Sequence, residues 1–366
     1  MRLWPRSLAI LVLLLCATAA GGQTIQPPYN ASYTLVDLGA VPGLPTPYGG
    51  LAFLPSNPNV IVIGGLANNA SGALYAIGVV RDAQNHITGF TGTATLFSEG
   101  QYNDGGVVFG PGGVLFYTRY PVNEIGQIEP GSTVNNRIIG LSALGMTSSV
   151  GALNFVPAGF PGAGQLKLVV FNDGNWYTAS YAPDGAGTYN ITSPVLNTTI
   201  PGGPEGFIYV PIGSPIFPSG TSMLVSEYSA NVVSTYQIDS NGNPIVATRA
   251  VFISGLTGAE GAVIDPLTGD FLFSTFGASN RVIAVRGFGI PPTPTFTPGA
   301  GQPTATPTVP AATATPTATA TVPAPTSTAP PVPAPSPSVP TLSFPMLALL
   351  GVMLAGAGFW FIARRN

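Results

Sequence analysis

Between residues 30 and 288 the chain alternates short apolar runs with tight clusters of Gly, Pro, Asn and Asp, the pattern of strands joined by turns. Five of these runs share one form: a Gly, a short apolar strand and a Pro-containing turn. They are Gly50–Pro55, Gly106–Pro111, Gly151–Pro157, Gly206–Pro211 and Gly261–Pro266. The Gly anchors lie 56, 45, 55 and 55 residues apart, so the segment is an internal repeat. A second strand is expected after each turn, at Val60–Ile63, Val114–Tyr117, Leu166–Phe171, Met223–Val225 and Phe271–Thr275. A third follows at Ala73–Val80, Glu124–Ile128, Trp176–Tyr181, Val232–Ile238 and Arg281–Val285. A fourth precedes the next anchor at Thr93–Phe97, Arg137–Leu141, Ser193–Leu196 and Arg249–Ile253.

Four short antiparallel strands per repeat make a propeller blade, and a blade buries its faces only by stacking on neighbours around an axis. The fold class is therefore all-β, a β-propeller over residues 30–288. The fifth repeat stops at its third strand, and Tyr33–Leu38 at the other end of the domain supplies the missing fourth. Pairing them closes the ring and removes two sheet edges. Five blades fit this arithmetic, and six is the alternative if one repeat has diverged.

The ends of the chain read differently. Arg2 and Arg6 precede the apolar run Leu8–Leu15, and small residues follow at Ala17–Gly21, the order of a secretory signal peptide over residues 1–22. The only cysteine, Cys16, lies inside that run; a lipoprotein reading around it is the alternative to cleavage near Ala19. Cleavage would leave a mature chain with no thiol. Residues 289–340 are mostly Thr, Pro and Ala. Proline removes donors and fixes φ, so this segment is expected to be a disordered, extended stalk, with a reach on the order of 150 Å in polyproline II geometry. Residues 344–363 carry no charge and Arg364 and Arg365 follow. Twenty apolar residues span the hydrocarbon core, and the terminal arginines favour the cytoplasmic side, leaving the propeller outside.

Just before that segment stands Val339-Pro340-Thr341-Leu342-Ser343. A short Pro-containing motif, one apolar helix and a basic tail resemble the C-terminal signal of IPTL-CTERM proteins, relatives of the PEP-CTERM proteins, with Val339 where the family usually has Ile. The resemblance covers residues 339–366. It implies a bacterial envelope of the Gram-negative type, membrane sorting, and a sorting protease of the exosortase kind as a partner.

Charge narrows the function classes. The 366-residue chain is 7% charged. Between Asp37 and Arg286 fourteen carboxylates face seven basic residues, a net of −7. No basic patch exists to neutralise phosphates, so nucleic acid is excluded as a partner. His86, the one histidine, reads as a solvated loop residue with no nucleophile beside it, and Gly110-Pro111-Gly112-Gly113 reads as a turn rather than a phosphate loop, since no helix follows.

The innermost strand of a propeller blade starts near the axis, so residues just before the anchors are the candidate site. Glu205 and Glu260 occupy the same slot in consecutive repeats, and Asp104 lies one position earlier in another. Converging carboxylates are hard oxygen ligands and suit Ca²⁺; the alternative is that each binds backbone N–H groups at a blade junction. A wider ring can be drawn from Asn68, Arg119, Asn172, Asp173 and Glu227 at the ends of second strands. That scatter of Glu, Asn and Asp around the axis resembles the calcium-dependent NHL and gluconolactonase-like propellers in placement alone, so that family's activity is not carried over to this chain. Two functions stay open: a surface binding or scaffolding module for an extracellular glycan or protein, and a calcium-dependent hydrolase or lactonase acting at the channel mouth. Catalytic residues are not assigned.

Overall fold

The computed structural model describes residues 22–290, apart from Ser219 and Ala278. Two short strands open the chain, β1 (Thr24–Ile25) and β2 (Thr34–Gly39). The first blade is β3 (Tyr48–Leu54), β4 (Asn57–Gly65), β5 (Ala73–Arg81) and β6 (Ile87–Glu99). The second is β7 (Asn103–Phe109), β8 (Leu115–Arg119), β9 (Glu124–Ile128) and β10 (Arg137–Gly140). The third is β11 (Val150–Phe155), β12 (Leu166–Val170), β13 (Asn175–Pro183) and β14 (Tyr189–Thr199). The fourth is β15 (Pro204–Tyr209), β16 (Ser222–Glu227), β17 (Val232–Gln237) and β18 (Ala250–Ser254). The fifth is β19 (Ala259–Ile264), β20 (Phe271–Thr275) and β21 (Val282–Arg286), completed by β2.

Five blades of four antiparallel strands are thus established, and the six-blade alternative falls. The closure is the expected one: β2 pairs antiparallel with β21, from Thr34 opposite Arg286 to Gly39 opposite Val282. The N-terminal boundary moves outward, because β1 adds a fifth strand to the edge of the fourth blade through Thr24 and Ile25. Its two residues lie before the expected start of the domain and carry too little pattern to be read as a strand.

Apolar side chains gather in five clusters, one between each pair of neighbouring blades. Leu51, Ile61 and Ile63 of the first blade meet Leu272 and Val282 of the fifth. Phe116 and Ile125 meet Leu153 and Leu168 between the second and third, and Trp176 meets Phe207 and Val225 between the third and fourth. Burying each such side chain contributes roughly 1.5–3 kcal/mol, so stability depends on the ring being closed.

The five inner strands, β3, β7, β11, β15 and β19, each touch the next around the axis. The repeat glycines stand where these backbones approach. A Cβ on Gly261 would sit 2.5 Å from the Gly50 Cα, and one on Gly106 would sit 2.7 Å from the Leu153 amide. Below this layer the axis holds a cavity of about 60 Å³ lined by Val107, Leu153, Phe207 and Val263 among others.

Every inner strand begins with a register shift, between Tyr48 and Leu51, Asn103 and Val107, Val150 and Ala152, Pro204 and Gly206, and Ala259 and Ala262. A bulge re-aims the residues it contains, here toward the axis. Hydroxyls of the second strands satisfy the loosened backbone. Thr118 Oγ1 accepts from the Gly106 amide at 3.0 Å and donates to the Gly151 carbonyl of the next blade at 2.7 Å. Ser274 does the same for Gly261 and Gly49 across the closure.

Among the described residues no helix is long and apolar enough to cross a membrane. The signal peptide, the apolar segment 344–363, the motif Val339–Ser343 and all but the first residues of the stalk lie outside the described residues. Strand alternation sets the exit face. Inner strands start at the bulged face and end at the opposite one, third strands run the same way, and β21 is a third strand. Ile290 therefore leaves the fold on the face opposite the bulges.

Candidate functional site at the channel mouth

The bulges bring three carboxylates together. Asp104 on β7, Glu205 on β15 and Glu260 on β19 each offer an oxygen, and these lie within 4.8 Å of one another. In a ring of five, the blades opposite the second are the fourth and fifth, so Asp104 reaches across the axis to both; β7 touches β15 and β19 directly. The equivalent slots of the first and third blades hold Gly49 and Val150, neither of which carries a charge.

All three residues are buried, with Asp104 0%, Glu205 4% and Glu260 1% exposed. Oδ1 and Oδ2 of Asp104, Oε2 of Glu205 and Oε1 of Glu260 have no hydrogen-bond partner. None of the ion pairs among the described residues includes any of them. Burial pushes the Asp104 carboxyl up to about 7, opposed by the two glutamates, the Asn68 side chain and the Gly105 amide. Burial raises Glu205 well above the usual carboxylate range, helped by the charges of Asp104 and Glu260. Burial and the Asp104 charge do the same to Glu260. Withdrawing a carboxylate from water costs several kcal/mol unless a cation or proton meets it, so this cluster takes up one or the other.

Its donor set fits calcium. Ca²⁺ takes six to eight oxygens at about 2.3–2.6 Å, which places facing ligand oxygens up to about 5 Å apart. Asn68 adds a fourth group, since its Oδ1 is buried without a partner and its side chain lies beside Asp104.

The rest of the wider ring does not converge. Glu227 is held by Arg249 and by the Tyr236 hydroxyl at 2.6 Å. Arg119 pairs with Glu124 at 3.2 Å, and Asp173 accepts from the Ser148 hydroxyl. Asn172 is exposed.

His86 is corrected as well. Its Nδ1 lies 2.6 Å from Asp270 Oδ2, and Asp270 is buried. Beside it Arg81 grips Asp265 with two contacts, at 2.5 and 3.1 Å. Arg286 adds a contact to Asp82 at 3.6 Å. These groups seal the seam between first and fifth blades on the face opposite the carboxylates, so His86 belongs to the closure and not to the mouth. Gly110–Gly113 is a turn, as expected, with Gly112 at φ 67°.

Sequence reasoning missed a second feature of the mouth. The residue after the second strand is Leu66, Tyr120, Phe171, Tyr228 and Phe276 in the five blades in turn. Each amide donates to a carbonyl just before or at the inner strand's start: Pro45, Tyr102, Ser149, Gly203 and Gly258 respectively. The four aromatics follow edge to face, with centroids 5.7, 5.8 and 5.9 Å apart. All five side chains are half-buried. Tyr228 senses the well below: burial raises its hydroxyl, and the Glu260 and Glu205 charges raise it further. Aligning the repeats at this position would have shown the collar; a search restricted to polar groups passed over it.

Comparison with protein-family models finds no match. Comparison with curated proteins finds none either. Among solved structures, the chain is similar to an auxiliary nutrient binding protein from Bacteroides ovatus, at 10% identity and a TM-score of 0.39, over 69% of this chain and 76% of that one. It is similar to the PQQ-bound aldose sugar dehydrogenase of Streptomyces coelicolor at 13% identity and a TM-score of 0.37, over 68% and 83% of the two chains. A fungal β-propeller domain, from Myceliophthora thermophila, matches at 9% identity and a TM-score of 0.34, over 66% and 65%. The architecture of this chain stands on its own strand pairing.

Proposed function

We propose that this protein is an exported, membrane-anchored binding module of the cell surface, with its ligand site at the carboxylate end of the propeller axis. The observation that carries the reading is the cluster of three buried carboxylates without a cation of the protein's own. Asp104, Glu205 and Glu260, with Asn68, would hold Ca²⁺, and the ion would supply a fixed positive centre to a cluster that otherwise repels itself.

Calcium titration of the full-length protein in detergent tests the site. At about 100 times its dissociation constant the ion stabilises the folded form by about 2.7 kcal/mol and raises the melting temperature. Glu205→Gln keeps the shape, removes one charge and is expected to abolish that response. A wild-type melt indifferent to calcium, at concentrations up to tens of millimolar, would remove the calcium site. The hydrolase reading shares the same ion; turnover of a lactone or phosphoester panel that appears only with calcium would favour it over simple binding.

Anchoring has its own test. Cell fractionation is expected to find the full chain with membranes and a chain ending at Leu342 in the soluble fraction. Retention of the shortened chain on membranes would show that residues 344–363 are not the anchor.

A further inference from the structure

The mouth combines two features that a metal ion alone does not use together. Buried carboxylates stand at the axis, and an arc of aromatic rings with one leucine follows the second-strand ends on the same face. Tyrosine and phenylalanine faces attract cations through the ring quadrupole, and the carboxylates attract them by charge. Both features disfavour an anion. A hydrated metal ion gains nothing from the rings, whereas an organic cation has an apolar body to lay against them.

The well also has the acceptor count of one particular cation. A primary ammonium has three N–H donors and no acceptor. Charge-assisted N–H···O bonds run about 2.7–2.9 Å, so tetrahedral donors from one nitrogen reach acceptors roughly 4.6 Å apart. The three carboxylate oxygens lie within 4.8 Å of one another. Both oxygens of Asp104, Oε2 of Glu205 and Oε1 of Glu260 have no hydrogen-bond partner. A quaternary ammonium has no N–H to offer.

We propose that the channel mouth binds a primary alkylammonium group, its three N–H donors meeting Asp104, Glu205 and Glu260 and its methylene stem lying against Tyr120, Phe171, Tyr228 and Phe276. This rests on the binding-module reading and names the ligand chemistry at the same site. The ammonium comes from a free small amine or from a lysine side chain of a partner protein, and both present the same head and stem. Calcium and the ammonium compete for the three carboxylates, and the collar separates them, since only the amine touches it.

Calorimetry on the full-length protein in a maltoside detergent tests this with four probes: n-butylammonium, tetramethylammonium, Nα-acetyl-lysine amide and calcium. Butylammonium is expected to bind one to one, tetramethylammonium not to bind, and calcium to weaken butylammonium competitively. Binding of the lysine amide at comparable strength assigns the source to a protein partner, and its failure beside butylammonium binding assigns it to a free amine. Phe276→Leu keeps an apolar side chain but removes a ring face; it is expected to weaken butylammonium about tenfold, the equivalent of 1.4 kcal/mol, while leaving calcium affinity within twofold. Glu260→Gln is expected to abolish binding of both cations. Calcium binding without butylammonium binding overturns this proposal and leaves the binding-module reading in place. Equal binding of tetramethylammonium overturns the role of the N–H donors, and failure of both cations removes the site altogether.

Discussion

Arg81 and Asp265 at the closure seam and Asp104, Glu205 and Glu260 on the axis are buried to a similar depth, but their charges are handled in opposite ways. At the seam the Arg81 and Asp265 side chains are 8% and 0% exposed and bind each other twice. The guanidinium also donates to the Asn85 and Pro58 carbonyls and to Asn59 Oδ1. Asp265 accepts in addition from the Leu267 amide. Every donor has a place to go, across an interface that joins residues 184 positions apart in the chain. On the axis three carboxylates face one another with four oxygens unpartnered. The Arg81–Asp265 pair is fully satisfied at the seam, although Asp270 Oδ1 and Arg286 Nε beside it have no partner. The mouth leaves its charges unpaired, and a fold that only needed stability would have no use for that arrangement.

The sharpest way to break this comparison is to remove one charge from each place. Arg81→Met leaves Asp265 buried without its cation, and breaking such a pair is expected to cost about 3–5 kcal/mol. Glu260→Gln, in calcium- and amine-free buffer at pH 8, is expected to change stability in the other direction, by about 1–3 kcal/mol. The amide replaces a carboxyl that burial and the Asp104 charge disfavour in its ionised form, and provides N–H donors for the free oxygens of its neighbours. Chemical denaturation of both variants beside the parent reads the two signs. Destabilisation by Glu260→Gln of the size seen for Arg81→Met would mean that the axis carboxylates are structural ties, like those of the seam.

How much of this was legible in the sequence follows from the range of each interaction. The Gly anchors, the strands after them and the closing strand at Tyr33–Leu38 are patterns within one repeat, and repetition made them readable. Glu205 and Glu260 stood out because equal slots of equal repeats must face the same axis. That Asp104, one residue out of that slot, reaches the same point depends on the bulge between Asn103 and Val107, and a bulge leaves no mark in an alternating pattern. His86 and Asp270 are as far apart in the chain as Arg81 and Asp265. Their pairing depends on ring closure bringing the first blade against the fifth, which no local pattern encodes. The collar lay in the sequence as a plain column of Leu, Tyr, Phe, Tyr and Phe, and attention to polar groups concealed it.

A third buried charge sharpens the comparison by standing between the two extremes. Lys167, at the start of the second strand of the third blade, is buried and donates to Gln165 Oε1, Thr178 Oγ1 and Asn243 Oδ1. Its three donors are satisfied, but by neutral oxygens, and Asp239 lends only a distant charge. Burial therefore lowers its ammonium to about 8, with Asp239 opposing the shift. In the unfolded chain a lysine titrates near 10.4. Between these values the unfolded state binds more protons than the folded one, so stability rises as pH rises through that window. From pH 7 to pH 9 the gain is expected to be about 1 kcal/mol. Above pH 10 buried tyrosines such as Tyr117 and Tyr33, whose hydroxyls are raised by burial, work the other way, since the unfolded state then loses protons that the folded state keeps. Subtracting the profile of Lys167→Met from that of the parent cancels the tyrosines. The difference is expected to climb by about 1 kcal/mol between pH 7 and 9 and to go on climbing until the pH passes the unfolded value near 10.4. A flat difference would mean that three neutral oxygens hold this ammonium as well as water does. The contrast between paired and unpaired buried charge would then apply to the carboxylates alone.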